Sequence, residues 1–567
     1  MPLTLPDTIA ARMSLKWADL EPHYKQLTTV ELSASNIESW LADWSRLNEI
    51  VYEQNNRLAV ATSVNTADEV AEKKYKENID STFTFFRPYE QQLKEKLLAS
   101  GIVPAGMEIP VRNLRAEADL YRESNLPLIA EEQKLNNEYD KLIGAQTVMW
   151  NGEERTFMEM YKILVEENDR SIREKSWITM RERILADKPA IHELWRKLFA
   201  IRQQIAANAG KPDYRSYVWG QKLRFDYTPE DCKTFHAAIE SVVVPAAGRV
   251  RARRRAQMKI DSVRPWDEYV DPLGRPALRP FETVNQLIEG AARSFDHVDT
   301  ALGHHFRTMM EEDLLDLDNR KNRAGGAYCT FFDYERKPFI FMSVVGVHYD
   351  FQTLLHEGGH AFHCFEAARL PYTMQLNTPM EFNEVASMSM ELLAAPTLAD
   401  SGLYTLAQAA RARVEALEDI LLFWPYMALV DMFQHWIYEN PNEGADPERV
   451  DSKWSELFPR FLPDLDYRGI EKYLPLRWHR QGHITQSPFY YIEYGLAQLG
   501  AVQVWANALK DQSAAVASYR RALALGATVT LPELFATAGA KFAFDESTLK
   551  GAVDLIEEQI QELERMA

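Results

Sequence analysis

Two histidines four residues apart with an acid between them can serve one metal ion, and His356-Glu357-Gly358-Gly359-His360 supplies that set. On a helix, positions i and i+4 lie about 40° apart and roughly 6 Å along the axis, so both imidazoles can face the same ion. Glu357 then projects beside them, positioned to take a proton from a metal-bound water. A catalytic zinc wants a third protein ligand and one open position. His363 is about 10 Å along the axis from His356, too far to share the ion with both. Better candidates lie in TPMEFNEVASMSMELLAA at 378–395, where Glu384 and Glu391 share one helix face at i, i+7. A helical hairpin would bring one of them to the metal and leave the other to orient a ligating imidazole. Spacing alone does not say which.

A third segment, RWHRQGHITQSPFYYIEYGLAQLG at 477–500, gathers His479, His483, Tyr490, Tyr491 and Tyr494 within sixteen residues. Beside a metal, neutral imidazole or tyrosine hydroxyls can donate to the oxyanion of a tetrahedral intermediate.

The elements that must position these groups are mostly helical. Residues 31–60, 67–100, 128–143, 155–185 and 188–208 carry apolar residues at three- and four-residue spacing, with a break at 125–127. Pro265, Pro272, Pro276 and Pro280 mark a loop-rich stretch ahead of a helical 281–297. Two β-rich runs follow, 327–334 and 338–345, the only sheet this reading contains. The second is expected to present an edge to an extended peptide. Asp350 is expected to cap the helix that carries the histidine pair. Gly358 and Gly359 cost that helix about 1 kcal/mol each, which close approach of another backbone would explain.

Charge and composition narrow the function classes. The 567 residues include 64 basic and 83 acidic side chains, a net charge of −19, which argues against a nucleic-acid partner. The run Arg249, Arg251, Arg253-Arg254-Arg255 reads as a solvated helix face. Three scattered cysteines (Cys232, Cys329, Cys364) make no disulfide framework. The N-terminus lacks a signal-peptide core, and no stretch of 18 apolar residues suggests a membrane span, so the expectation is a cytoplasmic protein.

LLHEGGHAFH, NEVASMSMELL and GHITQSPFYYIEY together resemble the thimet oligopeptidase/oligoendopeptidase F metallopeptidases, in particular bacterial oligoendopeptidase F-type and Pz-peptidase enzymes. The likeness is sharpest over 323–500, with Ser343 where the family more often has Asn. It implies one zinc ion per chain, held by His356, His360 and Glu384, with Glu357 as general base. His483, Tyr491 and Tyr494 would stabilise the oxyanion, with Tyr490 as the other candidate among the tyrosines. The implied fold is mostly α and zincin-like, resembling neurolysin. Two helical lobes would flank a deep substrate channel, with one small sheet just before the metal-binding helix. Residues 1–200 would form part of the channel wall and 201–567 the catalytic region. The implied activity is zinc-dependent endopeptidase action on short oligopeptides. The alternatives are a carboxypeptidase or dipeptidase on the same scaffold, or a non-catalytic peptide-binding module.

Overall fold

Long apolar-periodic runs with few internal breakers fold here as helices, and little else is present. In this computed structural model, which describes residues 5–566, 70% of the chain is helical and 4% is strand. Helix α1 (Ile37–Val64) buries Trp40, Leu41, Trp44, Leu47 and Val51 along one stripe. That stripe organises an N-terminal core with Leu20, Tyr24, Leu93 and Leu114. A second, much larger core runs from Val60 to Leu563 and contains the elements that carry the site.

A hairpin absent from the sequence reading joins β1 (Thr147–Trp150) to β2 (Glu153–Thr156). Its signal was the Asn151-Gly152 pair, whose φ angles of 51° and 88° are those of a tight hairpin turn. Helix α2 (Arg170–Asn208) is continuous through 186–187, where the sequence reading had a gap, and tolerates Pro189 in its interior. The break lies instead just before it, where the Asp169 carboxylate caps the first turn.

Helices α3 (Pro229–Ala238) and α4 (Val244–Met258) follow. The arginine run of α4 is a solvated face only in part: Arg255 and Arg249 are exposed, while the others are sheltered. Arg249 pairs with Glu557, Arg253 with Glu418 and Glu564, Arg254 donates to the carbonyls of Glu268 and Val270, and Arg251 is buried. They fasten α4 to its neighbours.

The small sheet comprises β3 (Leu315–Asp316), β4 (Ala327–Phe332) and β5 (Lys337–Met342) in the order β3-β5-β4. β5 runs parallel to β3 and antiparallel to β4, with Phe331 opposite Pro338 and Cys329 opposite Ile340. The second run is therefore the central strand, and the edges belong to β3 and β4, where the Phe331 carbonyl of β4 already accepts from the Asn56 amide at 2.9 Å. Pairing on both sides consumes the backbone groups that were expected to bind a peptide.

Helix α5 (His348–Ala367) starts two residues earlier than Asp350, so Asp350 is not its N-cap. Its carboxylate instead accepts the backbone N–H groups of Val345, Gly346 and Val347 at 2.9, 2.7 and 3.0 Å, pinning the strand-to-helix turn. Helices α6 (Met380–Ala394), α7 (Leu406–Glu439) and α8 (Tyr491–Ala508) complete the elements around the site. Among the described residues no helix is long and apolar enough to cross a membrane.

Candidate metal centre and active site

The geometry begins with a glycine. A Cβ built on Gly359 would lie 2.6 Å from both the Ala386 carbonyl oxygen and Ser387 Cα, so only glycine lets α5 press against the backbone of α6. Gly358 is similarly filled by the Phe295 ring, 2.6 Å from where a Cβ would stand. This is the close approach that the glycine pair implied. Helix α6 is packed between α5 and α8, and the Tyr519 hydroxyl ties it further by donating to the Ala386 carbonyl at 2.7 Å.

Across that contact, Glu384 Oε2 lies 3.4 Å from His356 Nε2 and 3.8 Å from His360 Nε2. The two imidazoles stand edge-on at 84°, their centroids 4.9 Å apart, and one ligand atom from each of the three residues falls within 4.8 Å of the others. Ligands about 2.05 Å from a tetrahedral ion are roughly 3.4 Å from one another, so this donor set fits zinc. Glu391, two turns further along α6, accepts from His356 Nδ1 at 2.6 Å and from the Gln352 amide at 2.5 Å. With its Nδ1 proton held there, His356 offers the Nε2 lone pair toward Glu384. Burial works to lower the pKa of His356, but Glu384 and Glu391 outweigh it and hold the ring well above its ordinary value. His360 is lowered to about 4, chiefly by burial. Both rings remain about a quarter exposed, so solvent reaches the space they face.

Glu357 is buried on the same helix, and burial raises its carboxyl to about 7 despite the opposing pull of His356. A carboxylate with that affinity can accept a proton near neutral pH and release it again.

The third segment divides. His479 is fully buried and bonds Asp451 Oδ1 at 2.8 Å, in a knot with His192 that belongs to the core. Lys188 Nζ lies 2.8 Å from Asp451 Oδ2, so a cation already occupies the place a metal would take. His483, by contrast, packs among the tyrosines at centroid distances of 5.6 Å (Tyr490), 4.8 Å (Tyr491) and 5.9 Å (Tyr494). The Tyr426 hydroxyl donates to Gln481 Oε1 at 2.9 Å, and the Gln481 amide donates to His483 Nδ1 at 2.9 Å. That chain leaves the proton on Nε2, where it is free to be donated. Burial, with help from the Lys222 charge, lowers His483 and favours the neutral ring.

The tyrosines separate by what surrounds their hydroxyls. Burial and then the Glu384 carboxylate raise Tyr490 and Tyr494, the latter to about 12, with Glu357 also acting on Tyr494. Tyr491 instead packs on Phe423 and Tyr426 and responds to Tyr426 and Gln481 rather than to Glu384. Lys222, whose Nζ stands 4.6 Å over the Tyr490 ring and 3.0 Å from Glu493, is a further charged neighbour. Gln481, Tyr426 and Lys222 escaped the sequence reading. Gln481 stands two residues before His483 and was open to notice; the other two come from distant segments with no local signal.

Known proteins resemble the chain along its length. Oligopeptidase PepF of Bacillus subtilis (strain 168) is 24% identical over 337 residues, covering 57% of this chain and 47% of that protein. The match thus spans about half the length of the curated relative. A crystal structure of an oligoendopeptidase F is 27% identical with a TM-score of 0.85, covering 96% of this chain and 97% of that one. Pz peptidase A in complex with an inhibitor is 25% identical with a TM-score of 0.85, covering 100% of both chains. The sequence pattern of peptidase family M3 matches residues 163–553, well over half of the chain, and the protein belongs to that family.

Proposed function

We propose that this protein is a zinc-dependent endopeptidase that hydrolyses internal bonds of short, unfolded peptides. The observation that carries the reading is the convergence of His356, His360 and Glu384 beside a buried Glu357, in a chain of family M3. The oligopeptidase relative supports the substrate class. Zinc held by the three ligands would polarise the scissile carbonyl and make a water acidic near neutral pH. Glu357 takes the proton of the attacking water and passes it to the leaving amine as the C–N bond breaks. His483 Nε2–H and the hydroxyls of Tyr490 and Tyr494 donate to the oxyanion, each worth about 3 kcal/mol in comparable sites. Tyr491 holds His483 and Tyr426 from behind. An extended peptide would pair with the part of the β4 edge that Asn56 leaves open, near Cys329, whose backbone bonds Glu357.

The test is mass spectrometry of products from an end-blocked decapeptide, with native, chelated, zinc-restored and Glu357→Gln protein run in parallel. Internal cleavage that needs zinc is expected, with Glu357→Gln retaining one zinc per chain and losing at least about 10³-fold in kcat. Turnover by Glu357→Gln near the native rate would remove the general-base role. A blocked peptide left intact while its unblocked form is trimmed would replace the endopeptidase with an exopeptidase.

A further inference from the structure

Of the seven non-glycine residues with positive φ among the described residues, only Leu223 (56°) and Phe489 (61°) are apolar. A bulky side chain is crowded in the left-handed region, so its surroundings must hold it there. Leu223 ends the short helix Tyr214–Gln221. Its N–H donates to the Gly220 carbonyl at 3.1 Å and that of Arg224 to the Trp219 carbonyl at 3.0 Å, a cap that glycine usually makes. Arg224 leaves that cap buried, and its guanidinium donates to the Phe489 carbonyl. The Phe489 N–H donates in turn to Oε1 of Gln434, a buried residue of α7, at 2.8 Å. The Phe489 ring is buried against Trp219, His435 and Tyr438, at centroid distances of 5.6, 5.2 and 5.5 Å. Separate partners thus fix the ring and both backbone groups of one strained residue.

That residue stands beside the candidate oxyanion donors. Pro488 fixes the preceding φ, and no glycine lies between Gly482 and Gly495, so the bend leading into α8 falls on Phe489. Tyr490 follows it directly, and Tyr494 lies in the first turn of α8. Arg224 meets Glu493 Oε1 at 2.6 Å, and Lys222 meets the same oxygen at 3.0 Å with its Nζ 4.6 Å over the Tyr490 ring. Arg224 also stands 3.6 Å from Glu381, three residues before Glu384 on α6. Earlier in the segment, the buried Arg202 donates to the Thr485 carbonyl and is backed by Glu132 at 2.7 Å. We propose that Arg224, with Gln434, is a positioning residue for the reaction: it holds Phe489 in its left-handed conformation and so aims Tyr490 and Tyr494 at the oxyanion. The inference rests on the peptidase reading for the oxyanion. Without these two hydrogen bonds Phe489 would relax toward an ordinary φ, turning the Tyr490 peptide unit and the loop back to His483. Donors that matter most in the transition state would then be misplaced, so turnover suffers rather than substrate binding.

The test compares zinc-loaded native protein with Arg224→Gln and Arg224→Lys. Arg173→Gln serves as control, since Arg173 is a buried arginine whose partners are Asp267 and the Trp266 carbonyl. The readouts are peptide kinetics, affinity for a phosphinic peptide with a tetrahedral phosphinate in place of the scissile amide, and hydrogen exchange followed by mass spectrometry. In Arg224→Gln, with zinc retained, kcat and phosphinate affinity should each fall at least about tenfold while KM stays within about twofold. Amide exchange across 483–495 should quicken at least about tenfold while 351–367 stays unchanged. Arg224→Lys should recover part of each loss, and Arg173→Gln should lower thermal stability without moving any of these readouts. Native kcat and phosphinate affinity in Arg224→Gln, an equal loss in Arg173→Gln, or unchanged exchange across 483–495 would overturn the proposal. Should Arg224→Gln fold poorly, Gln434→Met and the conservative Gln434→Glu, which keeps an acceptor for the Phe489 N–H, decide on the same readouts. A native protein that neither cleaves peptides nor binds the phosphinate, with 483–495 still loosened in Arg224→Gln, would sink only the peptidase reading. Native cleavage that Arg224→Gln leaves untouched would sink only the positioning role.

Discussion

The contact between α5 and α6 and the contact between α3 and α7 are built from the same parts. The first sets His356 and His360, four residues apart, against Glu384. The second sets Cys232 and His236, four apart, against Asp431 and His435, also four apart. There too a cysteine, a carboxylate and an imidazole lie within 4.8 Å of one another. Yet Asp431 Oδ2 has closed to 2.8 Å on His236 Nε2, and Arg215 stands 3.3 Å from His435 Nδ1. Every member of that cluster is sealed from solvent, and the two histidines hold Asp431 well below the usual carboxylate range against the effect of burial. At Glu384 the carboxylate stands off both rings by 3.4 and 3.8 Å, and the rings are open to solvent. Four-residue spacing thus puts donors on one face. Whether they hold an ion or share a proton is set by separation and access, which spacing does not encode.

The largest effect that would sharpen this contrast comes from removing each carboxylate in turn. Glu384→Ala should lose bound zinc and at least about 10³-fold in turnover, with the zinc-free protein still folded. Asp431→Asn should keep its zinc and lose about 3 kcal/mol of stability, because it strips the partner from buried histidines. Metal analysis and urea titration of the two variants read this directly. Zinc lost from Asp431→Asn would erase the distinction. A smaller effect is expected at Glu391→Gln, which leaves the three ligands intact but no longer fixes the His356 proton. Its zinc affinity should fall about 10- to 100-fold, measured by competition with a chelator. The smallest belongs to Tyr426→Phe, which frees Gln481 and lets His483 lose its preferred tautomer. A several-fold drop in kcat with KM unchanged is expected, on the scale of about 1 kcal/mol for one hydrogen bond. A change in KM alone would move Tyr426 from positioning to substrate binding.

The histidine pair, its intervening acid and the two candidate carboxylates were legible because helical periodicity converts sequence spacing into a shared face. The choice between Glu384 and Glu391 was not, since both lie on that face and only the axial offset between two helices separates them. The tyrosines were harder still. Tyr490, Tyr491 and Tyr494 sit at a helix start, where one residue of shift redirects a ring, and only Tyr490 and Tyr494 feel the Glu384 charge. The predominantly helical class followed from long periodic runs. The strand order did not, because pairing of β5 with the two-residue β3 is a long-range contact with no local trace. Part of the arginine run of α4 misled for a related reason: a run of like charge looks wholly solvated until carboxylates arrive from residues 418, 557 and 564.

The absent Cβ of Gly359 has a mechanical consequence. Two of the proposed ligands ride on one helix and the third on its neighbour, so sliding of α5 along α6 would stretch a coordination polyhedron built from them. With the Ala386 carbonyl seated against Gly359, that sliding meets backbone rather than a side chain that could rotate aside. With zinc held as proposed, the rate at which it leaves the protein would gauge shear between two helices, readable without any substrate.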